Sequence, residues 1–244
     1  MINYSQGDIM DKKIILDNNE VIFIDEDILV INKPTGILSI KDGYDPSIPH
    51  IQGLLEPQFG PLWIVHRLDK ETSGIIILAR QAIAHRILNE SFRNRTIEKK
   101  YHALITPVPT WQSLKIEYPL KPDADRKHRT RVDHDQGKPA NSKCQLLKRF
   151  SLGALIEIEI YTGITHQIIA HLRAHQFAIF GDKLYNSGLP VQPISFARTM
   201  LHARFLSLTH PITKERLMLT APYPTDFRDA YTKLRFTKAQ DEVL

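Results

Sequence analysis

The order of apolar and polar positions divides the chain into many short strands and a few helices. Val21-Ile-Phe-Ile24 and Ile28-Leu-Val-Ile31 flank Asp25-Glu26-Asp27, which reads as two β-rich runs around an acidic turn. Asn32-Lys33-Pro34-Thr35-Gly36 closes the second run with turn residues. Lys41–Pro49 holds a glycine and two prolines and predicts a loop; residues 51–58 predict a short helix. Ile75-Ile-Ile-Leu78 has the compact β-branched character of a buried strand. Ile83, Ile87, Leu88 and Phe92 recur at helical spacing, predicting a helix over Ala82–Phe92. Lys99–Thr106 reads as a strand, and Lys121–Lys138 is too charged for a core element, so a loop or hairpin arm is expected. Ala154, Ile156, Ile158 and Ile160 alternate with Leu155, Glu157 and Glu159, the signature of a half-buried strand. A helix over 165–175 follows Thr162-Gly163. From Leu201 the chain returns to short strands, broken by His210-Pro211 and by Pro222 and Pro224. Strands outnumber the three or so helices, so the expectation is an α+β fold with a mainly antiparallel mixed sheet and flanking helices.

Composition narrows the class. Of the 244 residues, 42% are hydrophobic and 24% charged, which excludes collagen-like, coiled-coil and wholly disordered chains. A single cysteine, Cys144, excludes a disulfide framework. No apolar run approaches the ~20 residues of a membrane span, and MINYSQGDIMDKKI has neither a signal-peptide nor a transit-peptide pattern, so a cytoplasmic location is expected. The net charge of +5 is uneven. Residues 1–32 are acidic, whereas 80–100 carry six Lys/Arg against two Glu and 121–149 carry nine against four Asp. Two basic segments opposite an acidic start form a one-sided field that attracts polyanions such as nucleic acid. Solvated faces would give the same count.

The densest chemistry is His66-Arg67-Leu68-Asp69-Lys70-Glu71-Thr72-Ser73-Gly74, set directly before the apolar run Ile75–Leu78. An aspartate beside cations stays ionised near neutral pH and serves as nucleophile or base. An Arg–Asp pair capping a turn has the same spacing, so residue types alone leave both readings open.

His66–Ala79 (HRLDKETSGIIILA) resembles the HRLDxxTSGLLLLA signature of the RluA-type pseudouridine synthases. The similarity continues in order along nearly the whole chain: DILVINKPTG (27–36), IEKKYHA (97–103), GKPA (137–140), TGITHQIIAH (162–171), FGDKLY (180–185) and LHA (201–203) with His210-Pro211. The resemblance implies a pseudouridine synthase fold with a central RNA-binding cleft, spanning 19–240 after an N-terminal extension over 1–18. The implied activity is isomerisation of selected uridines in ribosomal or transfer RNA. The C1′–N1 bond breaks, the uracil turns, and a C1′–C5 bond forms. The implied nucleophile is Asp69, by attack at C1′, by attack at C6, or through a glycal. Tyr101 is the aromatic residue expected to pack on the displaced base and a candidate for proton transfer, since a base taken out of its stack needs a replacement π-face. Arg67 is expected at the RNA, and His66 as a hydrogen-bonding residue that shapes the loop. Thr72, Lys99, Thr165, His166, Gln167 and Arg173 are expected to bind RNA or shape the site. The resemblance implies no cofactor and no metal. Family members often carry an N-terminal S4-type module; about twenty residues precede the first strand here, so RNA is expected to be held by the catalytic domain of a monomer.

Two positions depart from the motif. Where it reads TGRTHQIR, this chain has Ile164 and Ile169. The second arginine is the family's partner for the aspartate, and an isoleucine supplies neither charge nor donors. Either Arg173, one helical turn beyond Ile169, reaches Asp69 in its place, or the protein is a catalytically impaired RNA-binding paralogue. His166, His171 and His175 have ligand-like spacing but no carboxylate in an HExxH pattern, so no metal site is expected. No phosphate-binding loop or dinucleotide fingerprint occurs.

Overall fold

The computed structural model describes residues 20–189, 192 and 194–237. The expected extension over 1–18 lies outside them, as do residues 19, 190, 191, 193 and 238–240 of the expected domain. In chain order the elements are β1 (Val21–Ile24), β2 (Ile28–Lys33), α1 (Ile51–Phe59), β3 (Trp63–Ile64), β4 (Ser73–Ala79), α2 (Ala82–Arg93), β5 (Glu98–Thr106), β6 (Ser113–Ile116) and β7 (Leu120–Lys121). They continue with β8 (Arg131–Val132), β9 (Ser142–Arg149), β10 (Ala154–Ile160), α3 (Gln167–Ala174), β11 (Ala178–Ile179), β12 (Leu201–Thr209), β13 (Arg216–Thr220) and α4 (Thr225–Phe236). One sheet runs β1-β2-β4-β12-β5-β10-β9-β6, with β3 on β4, β11 on β5 and β13 on β12. All its pairings are antiparallel except β4 with β12. The fold is therefore α+β with a mixed, mainly antiparallel sheet.

The centre of the sheet is apolar on both faces, which is why β2 and β4 read as continuous hydrophobic runs rather than alternations. Leu29, Ile31, Ile76 and Leu78 pack on one face, under Ile51 and Leu55 of α1, Ile168 and Ile169 of α3 and Phe227 and Leu234 of α4. Ile28, Val30, Ile75 and Ile77 pack on the other, with Ala84 and Leu88 of α2. Farther out, β10 shows the expected one-sided pattern: Ile156 and Ile158 are buried while Glu157 and Glu159 are half-exposed.

The charged arm over Lys121–Lys138 holds the small β7–β8 hairpin. The third helix starts at Gln167 rather than 165, because His166 adopts a left-handed conformation, φ 53°, that breaks helical geometry ahead of it. Two long elements, β9 and α4, carry little periodic signal in the sequence. The buried positions of β9 are Ser142, Cys144 and Leu146, of which one is a strong hydrophobe. In α4 the stripe is only Phe227, Ala230 and Leu234, just beyond two prolines.

The parallel step between β4 and β12 places Gly74 opposite Ala203. Gly74 has φ +115°, and a Cβ there would lie 2.2 Å from the Ala203 carbonyl oxygen. That backbone approach sets where the polar loop 65–72 meets the sheet. Gly74→Ala is expected to destabilise the protein by at least ~2 kcal/mol, from positive-φ strain plus a backbone clash, read as a drop in the chemical denaturation midpoint. An unchanged midpoint would show that β12 yields freely here.

Candidate active site

Residues 65–72 run from β3 to β4, and the chain before α1 holds their backbone in place. Ser39 Oγ donates to Leu68 O at 2.7 Å and accepts from Leu68 N at 2.9 Å. Gly36 N donates to Lys70 O at 2.8 Å, and Thr35 Oγ1 donates to Glu71 O at 3.0 Å. Lys33 lies fully buried at the end of β2. Its Nζ donates to Pro34 O and Ile37 O at 2.9 Å and to Lys70 O at 3.3 Å. From the other side, the Arg198 guanidinium bridges Glu71 O (3.4 Å) to the Asp226 carboxylate of α4 (2.7 and 2.8 Å). Burial pushes the Lys33 ammonium down to about 7, against the pull of the Asp69 and Glu71 charges.

Thus fixed, Asp69 lines a cavity of about 90 Å³ with Arg67, Thr72, Tyr101, Ile160, Ile164, Thr165, His166, Gln167 and Ile169. Arg67 is exposed at its rim, and Thr72 is buried, with its N–H donating to Asp69 O at 3.0 Å. Tyr101 is buried on β5, and burial, followed by the Asp69 charge, pushes its phenol well above the usual tyrosine range. It therefore meets a ligand as a neutral ring and hydroxyl. His66 stacks on Phe92 with centroids 4.6 Å apart, and its Nε2 accepts from Ile77 N at 3.0 Å. Burial, then nearby Lys99, lowers His66 to about 3, so it is a neutral hydrogen-bond acceptor under β4. Gln167 is buried and turned inward: it accepts from Thr162 Oγ1 (2.8 Å) and Ile164 N (3.2 Å) and donates to Asn141 O and Ser142 Oγ, both 3.0 Å. Its hydrogen bonds brace the 162–167 turn.

Arg173 does not reach Asp69. Its guanidinium is held by the Tyr185 and Ser187 carbonyls, the latter at 2.7 Å. Those two carbonyls engage both terminal nitrogens of the guanidinium. Among the described residues, the ion-pair distance at Asp69 is instead to His166 Nε2, 3.9 Å from Oδ1. Sequence reasoning assigned no role to Lys33, Thr35, Ser39, Thr130, Tyr185 or Arg198. Lys33 carried a usable signal, a lysine closing an otherwise apolar strand; the others become neighbours only through the fold.

A wider groove of about 790 Å³ adjoins the cavity, lined by Arg67, Phe92, Arg93, Arg95, Lys99, Tyr101, Lys138, Tyr161 and Thr165 among others. Lys99 is half-buried there, and burial with Arg95 nearby lowers its ammonium.

Among the described residues, one group has metal-like ligand geometry: Asp25, Asp27 and His210, with ligand atoms within 4.8 Å. His210 Nδ1 accepts from Thr213 N (3.0 Å) and Ile212 N (3.3 Å), so the neutral ring carries its proton on Nε2. That nitrogen faces Asp25 Oδ2 at 2.9 Å and has no lone pair to give a metal. The group ties the β1–β2 turn to the β12–β13 turn. No helix among the described residues is long and apolar enough to cross a membrane.

Asp69 and Tyr101 thus share a strand-framed cavity that opens on a basic groove. Residues 27–174 match the family model described as RNA pseudouridylate synthase, and the chain belongs to that family. It is 33% identical over 208 residues to the dual-specificity RNA pseudouridine synthase RluA of Haemophilus influenzae, covering 83% of this chain and 92% of that one. It is 33% identical over 232 residues to the ribosomal large subunit pseudouridine synthase C of Pasteurella multocida, covering 91% and 70%. The solved structure of human RNA pseudouridylate synthase domain containing 4 superposes with a TM-score of 0.73 at 25% identity, over 88% of this chain and 92% of that one. Membership implies isomerase activity on RNA.

Lys33→Met is expected to lower stability by about 2 kcal/mol, since the Pro34 and Ile37 carbonyls lose their donor while a buried charge is removed. The sign with pH follows from the lowered ammonium. The unfolded chain binds more protons than the native one between pH 7 and 10.5, so wild-type stability gains from Lys33 as pH rises through that window. Denaturant melts should show the gap between wild type and Lys33→Met widening from pH 7 to pH 9. A gap that narrows would contradict a buried, easily deprotonated lysine.

Proposed function

We propose that this protein isomerises specific uridines of ribosomal or transfer RNA to pseudouridine, with Asp69 as the nucleophile. The observation that carries the reading is the convergence of Asp69 and Tyr101 on one cavity that opens into the basic groove. A uridine turned out of its stack enters base-first, against the Tyr101 ring and the Leu68, Ile160 and Ile164 wall, while its flanking phosphates lie along Arg67, Arg93, Arg95 and Lys138. Asp69 engages the sugar or ring as the C1′–N1 bond breaks, and the released uracil turns within the cavity before C5 bonds to C1′. The apolar wall permits that turn, because it makes no directional bond to either face of the ring. The protonated Tyr101 phenol offers packing and a hydrogen-bond donor, and is a poor base at neutral pH. Ribosomal and transfer RNA are proposed as the substrate class on the printed names of the relatives.

The test is single-turnover conversion of uridine in RNA extracted from cells lacking the protein, by wild type and Asp69→Asn. Asparagine keeps the size and removes the charge, so conversion is expected to fall by at least a thousandfold while the melting temperature is retained. Near wild-type conversion by the variant would overturn the role of Asp69. RNA binding without conversion by the wild type would instead favour the impaired paralogue, the reading that Ile169 motivates. Affinity is expected to drop about a hundredfold between ~50 and ~200 mM salt, the slope for roughly four neutralised phosphates; salt-independent binding would remove the groove from the account.

A further inference from the structure

We propose that the cavity between the charged arm and α3 is a second RNA site, one that holds a backbone phosphate of the strand whose uridine enters beside Asp69. This rests on the proposed action on RNA. The cavity measures about 480 Å³ and shares no lining residue with the Asp69–Tyr101 cavity or the wide groove. Arg129 and Arg131 reach it from the arm and Arg173 from α3, around an apolar wall that includes Val132, Ala170 and Leu189. Among the described residues no carboxylate lines it.

The three guanidinium groups are held before any ligand arrives. Arg129 Nε donates to Asp125 Oδ2 at 2.7 Å, and its Nη1 donates to Leu184 O at 3.4 Å. Arg131 Nη2 lies 2.6 Å from the same Asp125 oxygen, although its side chain is 54% exposed. One carboxylate thus gathers two arginines on one wall. Arg173 is fixed by the Tyr185 and Ser187 carbonyls. A guanidinium has five N–H groups, and among the described residues these contacts leave donors of all three uncommitted. Two carboxylates answer the three arginines, Asp125 on the arm and Asp182 after β11, so the cavity keeps a net positive charge. Held guanidinium forks match the oxygens of a phosphate, and little ordering remains to be done on binding. The apolar wall gives the attached ribose a surface to lie on.

Two features tie this cavity to the strand in the active site. Buried Tyr185 lines both it and a cavity of about 130 Å³ that Asp69 also lines. The arm brings cations to both places, Lys138 to the groove and Arg129 and Arg131 to the cavity, which suits one strand bound at two points. The same donors would serve a free phosphate or a mononucleotide, and the experiment separates these from RNA.

The test is equilibrium binding of a fluorescent single-stranded RNA of random sequence between ~50 and ~200 mM salt, since a phosphate contact is independent of sequence. Arg131→Ala is expected to weaken binding about tenfold at low salt and to flatten the slope of log K against log salt by about 0.7, one phosphate's share for a single strand. Ala174→Glu places a carboxylate at an exposed position of the lining, at the end of α3, and leaves the Asp125 pairs in place. It is expected to weaken RNA binding to a similar extent with the melting temperature retained. Wild-type affinity and slope in both variants overturn the proposal. If Arg131→Ala does not fold, Ala174→Glu decides alone. Inorganic phosphate and uridine 5′-monophosphate are expected to bind only at millimolar concentration. Micromolar binding of either that is lost in the variants, with the RNA slope unmoved, would assign the cavity to a free phosphate and overturn the RNA reading. Failure of the wild type to bind RNA would instead overturn the proposed function itself, so the two failures are distinct.

Discussion

The site depends on how an eight-residue turn satisfies its own backbone. Between β3 and β4 the chain has no ladder partner, and Leu68 is buried there, where an unpaired carbonyl is costly, while Lys70 and Glu71 lie at the surface. Residues 33–39 solve this by offering one donor after another: the Lys33 ammonium, the Gly36 amide, and the Thr35 and Ser39 hydroxyls. Arg198 closes the far end through α4. With the carbonyls of residues 68–71 held, the Asp69 side chain lines the cavity beside Tyr101 of β5. Burying a lysine for this purpose is a local cost borne by the large apolar centre of the sheet.

Two electrostatic regimes then lie side by side. In the groove, Arg93, Arg95 and Lys138 are exposed, so their attraction for phosphate is long-ranged and salt-sensitive. In the cavity, Ile160, Ile164 and Ile169 line the wall beside Asp69, and burial keeps the Tyr101 phenol protonated.

Much of this was legible in the sequence. The strands β2, β4, β5 and β10 and the helices α1 and α2 announced themselves because their apolar positions are strong and regular. The HRLD segment located the candidate carboxylate, and the Lys-x-Tyr segment located the aromatic. The strand β9 was hidden because its inward positions include Ser142 and Cys144, which hydropathy does not distinguish from surface residues. The expectation for Arg173 failed for a different reason: helical spacing places it near Ile169, but the 185–187 carbonyls compete for its guanidinium and hold it. Tertiary hydrogen bonds of that kind, like those from Thr130 to Tyr185 and from Ser39 to Leu68, join residues far apart in the chain and leave no periodic trace.

The central claim is that this chain makes pseudouridine through Asp69, and the most direct measurement is quantitative pseudouridine mapping of cellular RNA. Three strains suffice: one lacking the gene, one complemented with wild type, and one complemented with Asp69→Asn at equal protein level. The account predicts one or more positions in ribosomal or transfer RNA that lose modification on deletion, regain it with wild type, and stay unmodified with the variant. Full restoration by Asp69→Asn, or no position that responds to deletion, would contradict it.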